Sequence, residues 1–362
     1  MRIATMVKGY LTVPTPPDII YAPADLALQI SDGLIERGHS VDFYAPVGSR
    51  VGEAHLVSRD LHPLANNYDE FQALLVNPAF ASDNVLATWD SYLAAEMFRR
   101  ADKGEYDILF FHHPEAALPF VKIYPHIPVV YTMHDPIEIL QQGMLEMHAS
   151  PGQHLISISD KQRETAPDFP YLQTIYNGID IDYFTPGTAA KEEYLLFLGS
   201  ILPRKGTKEA IEVAQKSGRP LIIAGPTYPD NQDYFDTYVA PYIDGTTIQY
   251  LGHVPHNQTA ELFQKAAAFL MPIQWEEPFG LTIAEAMACG TPVIALNRGS
   301  VPEIIHSGVT GFIASSIDEM AEAVAKLDTI DLKACRKAAV ERFSTKAMVD
   351  SYEQAFLKLL GK

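Results

Sequence analysis

The sequence predicts an α/β protein built from two doubly wound domains in tandem, each a parallel sheet covered by helices on both faces. Three observations lead there. Short apolar runs alternate with helical patterns along the whole chain, the pattern restarts after a turn-rich stretch at 177–187, and 362 residues suit two globular domains. In chain order, RIATMV (2–7) reads as a buried strand, followed by a proline-rich loop to Pro23 and a helix over 24–37 that Gly38 can cap. VDFYA (41–45), DILFF (107–111), VVYT (129–132), HLISIS (154–159) and LQTIY (172–176) read as further strands, with helical segments between most of them. NGIDIDYFTPG (177–187) reads as the linker. Beyond it, YLLFLG (194–199), PLIIAG (220–225), IQYLG (248–252), AFLMP (268–272), PVIAL (292–296) and GFIA (311–314) give six more strands. Helices fit 205–217, 256–267, 280–289 and 316–326. Two such halves predict a cleft between them, and open parallel sheets bind ligands beyond the carboxyl ends of their strands.

Composition narrows the partners. There are 45 Asp+Glu against 27 Lys+Arg, a net charge of −18. Residues 1–185 hold 11 Lys+Arg and 24 Asp+Glu, so the first half carries −13 of that sum. Nucleic acid and anionic membrane surfaces attract basic patches, and neither is expected to bind here. No apolar run is long enough to span a bilayer, MRIATMVKGY lacks a leader's apolar block, and two cysteines cannot form a disulfide framework. These features point to a cytoplasmic protein. Cys289 and Cys335 match no metal-binding spacing, and Cys289, at a helix end, reads as a buried small residue.

The most informative segment is PIQWEEPFGLTIAEAMACGTPVIA (272–295). It starts at a strand's carboxyl end and passes through a Pro- and Gly-containing loop into a helix that closes at Gly290. The helix start at Phe279, Gly280 and Leu281 offers backbone amides and a positive dipole end, which suit a phosphate. Glu277 and Glu285 flank that start, eight residues apart. A carboxylate beside a diphosphate would be repelled, so these two should face neutral hydroxyls, and one carboxylate can take both O–H donors of a vicinal diol. A phosphate between two polyols describes a nucleotide sugar.

This segment, with NRGSVPEII (297–305) and SGVTGFI (307–313), closely resembles the family-4 retaining glycosyltransferases of the GT-B fold, whose E-x7-E motif matches Glu277 and Glu285. The likeness extends to GSILPRKG (199–206), AGP (224–226), YLGHV (250–254), YNGID (176–180), SISD (157–160) and TMHDP (132–136). It implies an acceptor-binding domain over 1–185, a donor-binding domain over 186–344, and a last helix over 345–362 that returns to the first domain. The resemblance assigns Glu285 to the donor's ribose hydroxyls and Glu277 to the donor sugar, with amides around Phe279, Gly280 and Leu281 on sugar and phosphate. Lys205 and Arg204 would neutralise the departing diphosphate. His134 would lie by the anomeric carbon, while Gly225, His253 and Val254 would border the base. His112 and His113 read as structural, and Trp89 and Trp275 as core or cleft-wall aromatics.

Transfer of a hexose from a nucleoside diphosphate sugar, UDP-glucose or similar, to a hydroxyl of a small soluble acceptor is the implied reaction, with retention and with no metal or cofactor. Asp180-Ile181-Asp182 spells D-x-D, but it lies in the linker and is not read as a metal site. Two departures from the family pattern stand out. Many relatives carry Arg where this chain has Ser200. Many also carry a glycine pair in the first strand-to-helix loop, whose amides approach the donor phosphate, where this chain has Lys8-Gly9 and then VPTPPDIIYAP (13–23). Gly9 keeps that role by position. Rival readings are a sugar phosphorylase or epimerase of similar architecture, and a non-catalytic nucleotide-sugar-binding protein. Phosphate-dependent turnover would reveal the phosphorylase, and absence of slow donor hydrolysis the binding protein.

Overall fold

The computed structural model describes residues 1–16, 19–77 and 85–362. Of the proline-rich loop, Pro17 and Asp18 therefore lie outside the described residues. Two compact units are present, Met1–Tyr176 joined by Met348–Lys362, and Asn177–Ala347.

Among the described residues the first unit holds seven parallel strands: β1 (Arg2–Met6), β2 (Ser40–Tyr44), β3 (His55–Val57), β4 (Ile108–Phe111), β5 (Val129–Thr132), β6 (Gln153–Ser157) and β7 (Tyr171–Thr174). Their order is β3-β2-β1-β4-β5-β6-β7, with Ile3 opposite Val41 on one side and Ile108 on the other. Alternate residues of the central strands feed two cores. Ala4, Met6, Leu109, Phe111 and Tyr131 pack with Leu93, Met97 and Phe98 of the helix Val85–Asp102. Ile3, Ile108, Phe110, Val130 and Ile156 pack with Leu26, Ile30 and Leu34 of the helix Ala22–Glu36. Burial on both faces is why these strands read as continuous apolar runs. β3 went unforeseen because its three residues, one exposed and two half-exposed, show no period.

The last helix, Thr345–Leu359, belongs to this unit from Met348 onward, where Met348, Val349, Tyr352 and Phe356 complete the second core. The Tyr352 hydroxyl lies 2.8 Å from Thr132 Oγ1, and Arg37 pairs with Asp350 at 2.5 Å.

The second unit holds six parallel strands: β8 (Leu195–Leu198), β9 (Leu221–Ala224), β10 (Ile248–Tyr250), β11 (Ala268–Met271), β12 (Val293–Leu296) and β13 (Gly311–Ala314), in the order β10-β9-β8-β11-β12-β13. This unit begins at Asn177 and not at residue 186, because the linker segment is stitched to it. Ile179 N–H donates to the Phe343 carbonyl at 2.8 Å, and Arg336 donates to the carbonyls of Ile181 (2.9 Å), Phe184 (2.5 Å) and Ala288 (3.1 Å). Asp180 Oδ1 accepts from the amides of Asp182 and Tyr183, both at 3.0 Å, so the first carboxylate of the D-x-D sequence caps a turn. In each sheet the direction of winding reverses once, between β1 and β4 and between β8 and β11, and that reversal opens a crevice at the strands' carboxyl ends.

Candidate active site

In the second unit, loops after β8 and β11 meet at the reversal point. After β8 the chain makes a short turn, Pro203–Lys205, and continues into the helix Thr207–Ser217. Gly206, at φ +82°, lets this turn lie against the Pro272 carbonyl, where any Cβ would collide. Gln274 N–H donates to the Arg204 carbonyl at 2.8 Å, joining the two loops. Lys205 Nζ thereby reaches Glu277 Oε2 at 2.8 Å, and Trp275 Nε1–H donates to the same oxygen at 3.1 Å. Glu277 is 8% exposed, so both cation and indole compensate a carboxylate largely withdrawn from water. Arg204 is exposed, with its guanidinium 4.6 Å from the Trp275 ring centre.

The chain then enters the helix Leu281–Ala288 at Gly280, with no side chain capping its start. Phe279 is 1% exposed and its ring packs edge-on against Phe343, so this residue can serve a ligand only through its backbone. Glu285 lies in the second turn. It keeps part of its surface exposed, yet burial pushes its carboxyl up to about 7, and the carboxylate accepts no hydrogen bond from the described residues. Such a group is ready for a hydroxyl donor.

Sequence reasoning missed the support beneath Glu277. Gly299 has φ +53° and sits so close that a Cβ would overlap the Glu277 backbone. Its N–H donates to Glu276 Oε2 at 2.7 Å, while Ser300 donates from N–H to the Glu277 carbonyl and from Oγ to the Phe279 carbonyl, both at 2.8 Å. Arg298-Gly299-Ser300 directly after β12 was the available signal, a turn at a strand's carboxyl end. At the edge of the same sheet, Tyr250 hydroxyl donates to the Gly225 carbonyl at 3.0 Å. His253 is exposed and Val254 half-buried in the following loop.

The first unit carries its own cluster at the β1–β4 reversal. His112, directly after β4, lies ring-on-ring with His134 at 5.3 Å, and His112 Nδ1 is 3.0 Å from His134 Nε2. Burial, then the charge of His113, pushes His134 down to about 3, and His112 is also held well below the usual range by burial. Both rings are therefore neutral near pH 7, one donating to the other. His112, read as structural, is thus the direct partner of the His134 ring.

Gly9 is placed differently from its expected role. Its N–H donates to Asp90 Oδ1 at 2.6 Å, so the amide that would meet a phosphate already has a carboxyl partner. Asp90 is 6% exposed, and its other oxygen lies 3.6 Å from His113 Nε2. His113 Nδ1 is 3.5 Å from Glu115, and against the burial that would raise it, His113 holds that carboxyl down at about 2. Asp90, on a helix far along the chain, gave no sequence signal.

Two family models match this chain. "Glycosyltransferase Family 4" covers residues 25–183 and "Glycosyl transferases group 1" covers residues 180–342. Together they span most of the sequence, and the chain belongs to these glycosyltransferases. An uncharacterized glycosyltransferase of Methanocaldococcus jannaschii is 26% identical over 354 residues, 86% of this chain and 84% of the relative. Sucrose-phosphate synthase from Thermosynechococcus elongatus superposes with a TM-score of 0.77 at 17% identity, covering 100% of both chains. HepE of Anabaena, solved in complex with UDP and glucose, gives 0.69 at 19% identity over 99% of this chain and 100% of that one. These structural likenesses establish the GT-B fold; the chain is a glycosyltransferase.

Proposed function

We propose that this glycosyltransferase moves a hexose from a UDP-sugar to a hydroxyl of a small soluble acceptor, with retention at the anomeric carbon and without a metal. The observation that carries this reading is the Glu285 carboxyl, half-buried and without a donor among the described residues, on a helix whose open N-terminus follows the Lys205–Glu277 pair. A ribose diol supplies the two O–H donors that Glu285 lacks, while helix amides and the cations of Lys205 and Arg204 suit the diphosphate. HepE, which shares the fold, is known with UDP and glucose, and this supports uridine as the base.

The chemistry follows from those charges. The bond between the anomeric carbon and the diphosphate oxygen breaks as the acceptor oxygen bonds to the same face of the carbon, and the acceptor proton passes to a diphosphate oxygen. Lys205 and Arg204 stabilise the charge that develops on the leaving group. Glu277 uses one oxygen for Lys205 and Trp275 and keeps the other for a sugar hydroxyl. His134, neutral and steadied by His112, can offer a hydrogen bond but not act as a proton-donating imidazolium.

Charge supports the acceptor class. Residues 1–185 hold 11 Lys+Arg against 24 Asp+Glu, and that acidic balance disfavours an anionic phosphoryl or lipid-linked acceptor. A neutral polyol or a cationic acceptor fits, and a cytoplasmic location accords with small soluble substrates.

A thermal-shift panel of UDP, GDP, ADP and their sugars on wild type and Glu285→Ala tests the donor. A ligand at 100 times its Kd stabilises by about 2.7 kcal/mol. UDP and UDP-sugars should give the largest shifts, and the variant should lose most of the response. Equal shifts for all bases, or an unchanged variant, would overturn the reading. Slow hydrolysis of the donor without acceptor separates an enzyme from a binding protein.

A further inference from the structure

We propose that Trp275 is a positioning residue that holds Arg204 and Lys205 together on its indole and orients Glu277, so that a diphosphate meets two cations at once. This inference rests on the donor-site reading above. Arg204 and Lys205 are adjacent in a three-residue turn, and their like charges repel unless something opposes the repulsion. The Trp275 ring does so: the guanidinium lies 4.6 Å and the ammonium 5.4 Å from its centre, within range of the attraction between a cation and the electron-rich face of an indole. The ring's edge serves a second purpose, because Nε1–H donates to Glu277 Oε2 at 3.1 Å, the oxygen that Lys205 also holds at 2.8 Å.

The electrostatic balance then favours an anion. Lys205 has one carboxylate partner, whereas Arg204 makes no ion pair or hydrogen bond through its guanidinium among the described residues and is held only by the ring. Two cations and one carboxylate leave one positive charge uncompensated, displayed at the reversal point of the sheet. Because both bonds to Glu277 converge on Oε2, Oε1 takes none from the described residues and is open to a sugar hydroxyl. A leucine would offer neither face nor N–H. Phenylalanine would keep the face and lose the N–H, so the two substitutions separate the two functions.

The test measures UDP and UMP affinities by titration calorimetry, and UDP-glucose hydrolysis without acceptor, for wild type, W275F and W275L. The ratio of UDP to UMP affinity reads the second phosphate alone, which a general loss of structure at the base or ribose does not change. In W275L this ratio should fall about three- to tenfold. In W275F it should stay within about twofold of wild type, while kcat for hydrolysis drops and KM changes little, because only Glu277 has lost its orienting donor. Arg204→Met should lower the ratio too, and W275L in that background should lower it further by less than it does in wild type, because only Lys205 is then left to release. Should W275L fail to fold, W275F and R204M carry the test. A wild type that binds UDP no better than UMP would overturn the donor-site reading together with this inference. A wild type that discriminates, beside a W275L that discriminates equally or a W275F that behaves as W275L does, overturns the inference alone.

Discussion

Glu285 has a carboxyl near neutrality, at about 7, where an ordinary glutamate sits near about 4.3. If ribose hydroxyls donate to it, the charged form is the better acceptor, so UDP affinity should fall as pH drops through about 7 and binding near that pH should release a proton. The sign is opposite for the unliganded fold. Between about 4.3 and 7 the folded protein holds a proton that the unfolded chain has lost, so its stability declines as pH rises through that window and levels off above it. Glu285→Gln should flatten both trends. Calorimetry at about pH 6 and pH 8, with urea melts at the same values, checks this. A wild-type UDP affinity independent of pH would contradict the assignment. His134, held near 3, should contribute no inflection to an activity profile between about pH 5 and 8.

At the scale of elements, the site is two loops and a helix start braced by a third loop. Gly299 permits that bracing, since its backbone touches Glu277 where a side chain cannot fit. Gly299→Ala should cost on the order of 1–3 kcal/mol, through the positive φ and the collision together. It should also weaken UDP-glucose binding more than UDP binding, because Glu277 is assigned to the sugar. Urea unfolding and the two dissociation constants decide it, and equal losses for both ligands would count against the assignment of Glu277. Arg336 is a structural counterpart at the other end of the helix Leu281–Ala288, where it ties the Ala288 carbonyl to the carbonyls of Ile181 and Phe184. Removing its guanidinium leaves three carbonyls short of a donor, and Arg336→Met should destabilise by about 2–4 kcal/mol in the same urea measurement. Strands β4 and β5 were legible because burial on both faces demands unbroken apolar runs, whereas β3, short and half-exposed, obeys no such demand.

For the whole molecule, the last helix closes the core of the first unit after the chain has built the second. Tyr352 is 1% exposed, so Tyr352→Ala should cost about 3–5 kcal/mol, while Tyr352→Phe, losing only the bond to Thr132, should cost about 1 kcal/mol. A two-probe melt that found the two variants equivalent would show that the helix contributes little to that core. The acidic charge acts at this scale too. Purified protein should not bind anionic vesicles at physiological salt, and on the proposed reading, in which basic side chains and helix amides take the part of a divalent ion, turnover should survive EDTA. Loss of activity in EDTA restored by Mn²⁺ would sink the metal-free reading.

The sequence by itself determined the two-sheet architecture, the alternation of strands and helices, and the Glu277–Glu285 spacing, because periodicity and turn chemistry act over a few residues at a time. Only the tertiary structure decided what those residues touch. Lys205 meets Glu277 across 72 positions, Gly9 meets Asp90 across 81, and Gly299 slots under the Glu277 backbone. The linker's attachment to the second unit and the stacking of Arg204 on Trp275 were equally invisible. Such pairings depend on which strands lie side by side where the winding reverses, and no local pattern encodes the distance between two loops that meet only after each sheet has formed.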